Sequence, residues 1–97
     1  MSPEERELAA RVDATASAVD GVTRVYPSGV AVGRAARRAL GSDHPLSTVR
    51  MSPERVEAEV AVGVSGDPIA VGSRVSEAVR AVLPHPAGVR VRIARVG

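Results

Sequence analysis

A nine-residue segment, from Val56 to Val64, constrains the fold more than any other part of the sequence. Its even-numbered positions are all apolar: Val56, Ala58, Val60, Val62 and Val64. The positions between them carry Glu57, Glu59, Ala61 and Gly63. A period of two is that of a half-buried β-strand, whose successive side chains point to opposite faces of a sheet. The chain is therefore predicted to contain a sheet with one face on an apolar core and the other in water.

The core over this sheet has to be built from small side chains. The 97 residues include 18 Val and 16 Ala but no Phe, no Trp and one Tyr, and the hydrophobic share is 44%. This length predicts a single domain, residues 1–97, with one core. The lack of cysteine excludes disulfides, thiolate nucleophiles and cysteine-ligated zinc. Because there is no long apolar run and the first segment is charged, neither a membrane span nor a signal peptide is predicted.

Arginine supplies all of the positive charge. The 13 basic residues are all arginines, they face 11 carboxylates, and the formal net charge is +2. A net charge of this size steers polyanions only weakly.

Two segments, one before the first predicted strand and one between the last two, have the signals of α-helices. The first covers residues 3–19, with Ser2 as N-cap, Pro3 at the first helical position and Gly21 at the end. Another begins at Asp67 and Pro68 by the same signals. The apolar stripe predicted for it contains Ile69, Gly72, Val75, Val79, Val82 and Leu83.

The segment 32–40 also has the period of a helix, and its opposite face carries Arg34, Arg37 and Arg38. An alternative interpretation makes residues 30–32 the return strand of a hairpin with residues 22–26.

Strands are predicted at 22–26, 47–51, 56–64 and 89–93. In the last of them Arg90 and Arg92 alternate with apolar residues, and they could lie opposite Glu57 and Glu59 on the wet face.

The predicted order is an N-terminal helix followed by strand, helix, strand, strand, helix, strand. This predicts an α+β two-layer sandwich with the helices on one face of a four-stranded sheet. The βαββαβ-like order matches the ferredoxin-like pattern, and the sequence leaves the spatial order of the strands open.

Reactive groups are few. The histidines, His44 and His85, both lie in proline-containing loops with no third ligand at helical or hairpin spacing, so we predict no metal site. No serine occupies a nucleophile motif with a base placed for it. Glu57 and Glu59 are interpreted as surface ion-pairing groups rather than an acid–base pair, since the arginines beside them favour the ionised form. We therefore predict no catalytic residue, no cofactor and no enzymatic activity.

Residues Leu8 to Val96 resemble the alkaline-shock protein family of general-stress proteins. The resemblance runs through Val19-Asp20-Gly21-Val22, the turn Ser28-Gly29, Ala39-Leu40-Gly41, the long strand from Val56 to Val62, Asp67-Pro68-Ile69 and the segment Gly88 to Ile93. It implies a non-enzymatic, self-associating protein linked to cell-envelope stress. It further implies a cytoplasmic location, with membrane association through an anchor or envelope protein as partner.

The leading hypothesis from sequence is a non-catalytic scaffold or adaptor that forms homo-oligomers through the outer face or an unpaired edge of the sheet. Its predicted interaction surface consists of Arg34, Arg37, Arg38, Glu57, Glu59, Arg90 and Arg92. The alternative is a small nucleic-acid-binding module that uses the helix face of Arg34, Arg37 and Arg38 to hold phosphates.

Overall fold

The computed structural model describes residues 2–28, 45–84 and 86–97. In these ranges the elements are α1 (Pro3–Ser17), β1 (Val22–Tyr26), β2 (Thr48–Met51), β3 (Val56–Val64), α2 (Pro68–Val82) and β4 (Ala87–Val96). The two helices pack on one face of a four-stranded sheet, which confirms the predicted two-layer α+β class. The predicted helix at 32–40, with its alternative as a strand, lies outside the described residues.

Strand β3 is the centre of the sheet. Strands β1 and β2 are both antiparallel to it and lie along the same edge, β1 beside its C-terminal half and β2 beside its N-terminal half. Strand β4 runs parallel to β3 along the opposite edge. The sheet is therefore mixed, and β1 and β2 lie end to end like one interrupted strand. This settles the spatial order that the sequence left open.

Ser28 joins the end of β1 to the start of β2. Its backbone N–H donates to the Leu46 carbonyl at 2.9 Å. Its buried hydroxyl lies 3.0 Å from the carbonyl oxygen of Glu59 and 3.2 Å from Thr48 Oγ1. Because these bonds connect both outer segments to β3, the chain leaves and re-enters the sheet at one point.

The core consists almost entirely of valine and alanine, as the composition predicted. Helix α1 contributes Ala9, Val12 and Ala16, and the helix-facing side of β3 contributes its alternating apolar residues. Helix α2 buries Val71, Val75 and Val79, and Leu83 just beyond it.

The predicted stripe of α2 is wrong at Ile69, which is 82% exposed. Ile69 and Val71 are two positions apart, which corresponds to about 200° of rotation in an α-helix. Because Val71 is buried, Ile69 points to the opposite side of the helix, toward solvent.

Helix α1 ends two residues earlier than predicted, at Ser17, with Ala18 as C-cap. Gly21 lies further along, in the turn into β1, where its φ is +95°. A Cβ at this position would lie 2.6 Å from Val71 Cγ2. Gly21 is therefore needed for a positive φ and a close approach to α2, and it does not cap the helix.

Two carboxylates on α1 hold the β2 segment against the helix. Asp13 accepts from the backbone N–H groups of Leu46 at 2.7 Å and Ser47 at 2.8 Å. Glu5 accepts from the backbone N–H of Met51 at 2.8 Å, while its other oxygen closes a capping box with Ser2. These bonds lower the pKa of Glu5 below its ordinary value of 4.5, chiefly through the N–H groups of Ser2 and Met51.

Asp13→Ala is expected to lower the free energy of unfolding by about 1–3 kcal/mol, because two partly buried N–H groups lose their acceptor. Urea unfolding measures this change. Asp20→Ala is the matched control, since the bond recorded at Asp20 uses its carbonyl oxygen and not its carboxylate. Equal stability of the two variants would contradict the role of Asp13.

Glu5→Gln is expected to flatten the loss of stability on acidification. Because the folded pKa of Glu5 is lowered, its contribution is complete above the ordinary value of 4.5 and disappears as the pH falls through the folded value. Thermal unfolding across this acid range provides the measurement. Glu4→Gln, in the same helical turn, controls for the helix dipole. If both variants lost stability with acid as steeply as the parent chain, the assignment to Glu5 would be wrong.

Candidate interaction surface on the open face of the sheet

The side of the sheet away from the helices is called here the open face. Its side chains form four rows, each running across β3 from the β1–β2 edge to β4. The rows are Arg24–Gly63–Arg95, Tyr26–Ala61–Arg92, Thr48–Glu59–Arg90 and Arg50–Glu57–Gly88. The first two rows contain three arginines and no carboxylate, and we name them the basic end. The other two contain both signs of charge, and we name them the mixed end.

At the mixed end the carboxylates lie beside arginines. Glu59 is in register with Arg90, and Glu57 is in register with Arg50 on the other side. Arg55 Nε also lies 3.7 Å from Glu57 Oε1, in a pair whose side chains are both more than half exposed. Such surface pairs contribute only about 0–1 kcal/mol each. Their effect is mainly to neutralise charge at this end.

The structure brings four of the predicted interaction residues onto the open face: Glu57, Glu59, Arg90 and Arg92. Arg92 lies opposite Ala61, not opposite a carboxylate. The other three predicted residues, Arg34, Arg37 and Arg38, lie outside the described residues.

Strands β1 and β4 each contain a β-bulge, and the one in β4 completes the basic end. In β1 the register shifts between Val22 and Arg24, and in β4 it shifts opposite the step from Val62 to Gly63. A bulge inserts one residue and re-aims the side chains that follow it. In β4 the extra residue brings Arg95 into register with Gly63, on the same face as Arg92. A regular strand would place Arg95 on the helix side.

The Tyr26 ring lies over Gly63 at this end of the sheet. A Cβ on Gly63 would lie 3.1 Å from Tyr26 Cε2 and 2.8 Å from Thr23 Oγ1, so only glycine leaves room for the ring. The Arg24 guanidinium lies over the ring, with Cζ 5.4 Å from its centroid, a cation–π distance. This covering explains why Ala61 and Gly63 are buried although they face away from the helices.

Sequence reasoning missed four members of this surface: Arg24, Tyr26, Arg50 and Arg95. The alternation of Arg24 and Tyr26 in a predicted strand already placed both on one face. Arg95 gave no such signal, because its orientation depends on a bulge that alternation does not reveal.

The border of the sheet at β4 has a free backbone edge in the described part of the chain. The backbone N–H of Val56 donates to the Pro86 carbonyl. This bond determines which residues of β4 direct their backbone groups toward β3 in the parallel ladder. In such a ladder alternate residues direct both backbone groups to the same side. The N–H and C=O groups of Val89, Val91 and Ile93 therefore point away from β3.

A shallow, mostly apolar groove of about 360 Å³ lies beside this edge, between α2 and β4. Its lining residues are Pro68, Ile69, Gly72, Ser73, Ser76, Val91 and Ile93. The apolar residues of β4 that face the helices, Val89, Val91 and Ile93, are only partly buried.

Within residues 2–28, 45–84 and 86–97, no three His, Asp or Glu side chains come together as a metal site. His44 and His85 fall outside these ranges. Neither helix of the described chain is long and apolar enough to cross a membrane.

The fold is similar to that of two solved structures of the MamM CTD. Its copper form has a TM-score of 0.61 and 13% identity to this chain, over 99% of both chains. A point variant has a TM-score of 0.52 and 16% identity, over 99% of this chain and 100% of its own. Identities this low show a shared fold alone. No protein-family model matches the chain, and no curated protein matches it.

Proposed function

We propose that this chain is a non-catalytic scaffold that associates with a second copy of itself through β4. The observation that carries the proposal is the coincidence of two features at one border: outward backbone groups on β4 and the apolar groove beside it. Each feature alone is common. Together they offer a partner both hydrogen bonds and apolar contact.

The backbone contribution comes from strand addition. A second β4 laid antiparallel to the first would satisfy the outward groups of Val89, Val91 and Ile93 and continue the sheet into the next subunit. The described β4 is ten residues long and contains no proline. A two-fold axis through this seam makes the interface self-complementary and closed.

The apolar contribution comes from the α2 side of the seam. Ile69 is exposed, and Ile93 of β4 approaches Gly72 of α2, with its Cδ1 3.7 Å from where a Cβ on Gly72 would be. In a symmetric pair the two grooves would face each other across the paired strands. Burial of Ile69 there would explain why α2 places a large apolar residue in solvent.

Charge on the open face opposes this pairing. Residues directly opposite in an antiparallel pair share a face, so arginines of one β4 would lie near arginines of the other. Glu59 neutralises part of Arg90, but Arg92 and Arg95 have no carboxylate in their rows. The proposed association is therefore driven by backbone and apolar contact and weakened by electrostatic repulsion.

The finer part of the proposal follows from the resemblance to alkaline-shock proteins, which stays a prediction. It assigns the scaffold to the cytoplasm, beside the cell envelope, with an anchor or envelope protein as a further partner. Co-purification from native lysate tests this part separately from self-association.

Val91→Pro is expected to weaken self-association at least about tenfold, or 1.4 kcal/mol, because both copies lose an outward N–H. Sedimentation over a concentration series provides the measurement. Val91→Thr retains the N–H and a side chain of similar shape, so it should associate almost as the parent chain does.

Folding of the Val91→Pro monomer is checked by urea unfolding, since the substitution removes an edge-facing N–H and also a side chain that packs partly against the core. A strictly monomeric parent chain at high concentration, or unchanged association of Val91→Pro, would refute the proposal.

Added salt is expected to strengthen self-association, because it screens the arginine repulsion across the seam. The dissociation constant should fall as sodium chloride rises, and Arg92→Ser should reduce this dependence. Arg80→Ser, on the exposed side of α2, is the charge-matched control. Association that weakens with salt would indicate an ion-paired interface elsewhere on the chain.

A further inference from the structure

We propose that the basic end of the open face binds single-stranded nucleic acid, with a base stacked on Tyr26 and phosphates held by Arg24, Arg92 and Arg95. These residues differ from Arg34, Arg37 and Arg38, which the sequence suggested for phosphates and which lie outside the described residues. The proposal does not rest on self-association, because it uses side chains on the open face and not the outward backbone groups of β4.

Charge complementarity is the first argument. Arg24 and Arg95 flank Gly63, and Arg92 lies in the next row, opposite Tyr26 across Ala61. Two inter-strand spacings separate the flanking strands, about 10 Å. Guanidinium groups are planar and bind phosphate through two parallel hydrogen bonds. An extended phosphate backbone laid between β1 and β4 would meet an arginine on each side and no carboxylate in either row.

The aromatic ring is the second argument. Binding of single strands without sequence preference combines a basic track with rings on which bases stack. Tyr26 is the one aromatic residue in the chain, and it lies on this face among the arginines. The Arg24 guanidinium now occupies the stacking position above the ring. Arg24 is exposed, so it can move aside for a base or stack on the base's other face.

The floor of the site is the third argument. Between the arginines, β3 presents Ala61 and Gly63, the two smallest side chains available. A larger residue at Gly63 would collide with Tyr26 and lift the ring from the sheet. These small residues, themselves buried beneath Tyr26, therefore keep the ring close to the sheet and leave its outer side for stacking.

Other anionic partners use less of this arrangement. An acidic peptide would pair with the arginines but gains little from a flat ring, and a lipid surface would need apolar side chains to insert. The two rows contain no large aliphatic residue. A planar base with a phosphate on either side uses the ring and the arginines together.

The test uses the intrinsic fluorescence of the 97-residue chain. Because the protein has no Trp, its intrinsic emission comes from Tyr26 and reports directly on this site. The probes are oligothymidylate and oligouridylate of about 12 nucleotides, within the roughly 4–16 nucleotides that one small domain covers. The expected result is saturable quenching by both probes at low salt. An abasic strand of equal length should bind more weakly and leave the emission unchanged.

Variants locate the site. Tyr26→Leu should weaken binding, measured by anisotropy of a labelled probe, by about 5- to 150-fold, the range typical for loss of one stacked base. Tyr26→Phe keeps the ring and should bind normally, which separates stacking from misfolding. Arg92→Ser should reduce the slope of log affinity against log salt by about 0.7, one single-strand phosphate contact.

The matched control is Arg50→Ser, which removes the same charge from the same face at the mixed end. It should weaken binding much less than Arg92→Ser, because Glu57 lies beside Arg50. Equal effects of the two variants would show diffuse attraction and overturn the proposal. So would loss of binding in Arg37→Ser with none in Arg92→Ser, unquenched emission with bound oligonucleotide, or equally tight binding of polyglutamate or anionic phosphatidylserine vesicles.

Discussion

Strand β3 is the constraint on which the rest of the structure depends. It pairs with β1 and β2 along one edge and with β4 along the other, so every other strand is positioned by its register. Its helix-facing valines also form the middle of the core. A slip of one residue would exchange the two faces, exposing valines and burying Glu57 and Glu59. The alternation of this strand thus determines both the core and the charge pattern of the open face.

A core of small side chains has consequences for how the layers are held together. Valine and alanine bury less apolar area per residue than leucine or phenylalanine, so each contact between layers contributes less. The structure supplements this packing with specific polar links. Asp13 and Glu5 tie α1 to the backbone around β2, and Ser28 ties β1 to β2 and β3. Close approach at Gly21 serves the same purpose, since it lets α2 pack against the turn without a gap.

Much of this fold could be predicted because its signals are local. The period of β3, the N-caps Ser2 and Asp67, and the prolines after them are read directly from neighbouring residues, and the structure confirms each. The bonds of Asp13 join residues more than thirty positions apart, and no local pattern indicates them.

The sequence did not predict the basic end, for a related reason. The place of Arg95 in it depends on the bulge in β4, and a bulge changes which face a residue occupies without changing the sequence period before it. The sequence therefore indicated the mixed end, through Glu59 and Arg90, and missed Arg95. Composition identified Tyr26 only as the single aromatic residue, whereas the fold places its ring beside Arg24.

The two proposed activities meet on β4, and this makes them thermodynamically linked. Pairing of two β4 strands brings the Arg92 and Arg95 side chains of both copies close together, at a cost in repulsion that counter-ions relieve. A phosphate backbone bound at the basic end neutralises the same side chains. A polyanion would therefore favour the paired state, and by reciprocity pairing would raise the affinity for the polyanion. The arginines of β4 would therefore oppose pairing of its free edge when no anion is bound. They would permit that pairing when the anion is present.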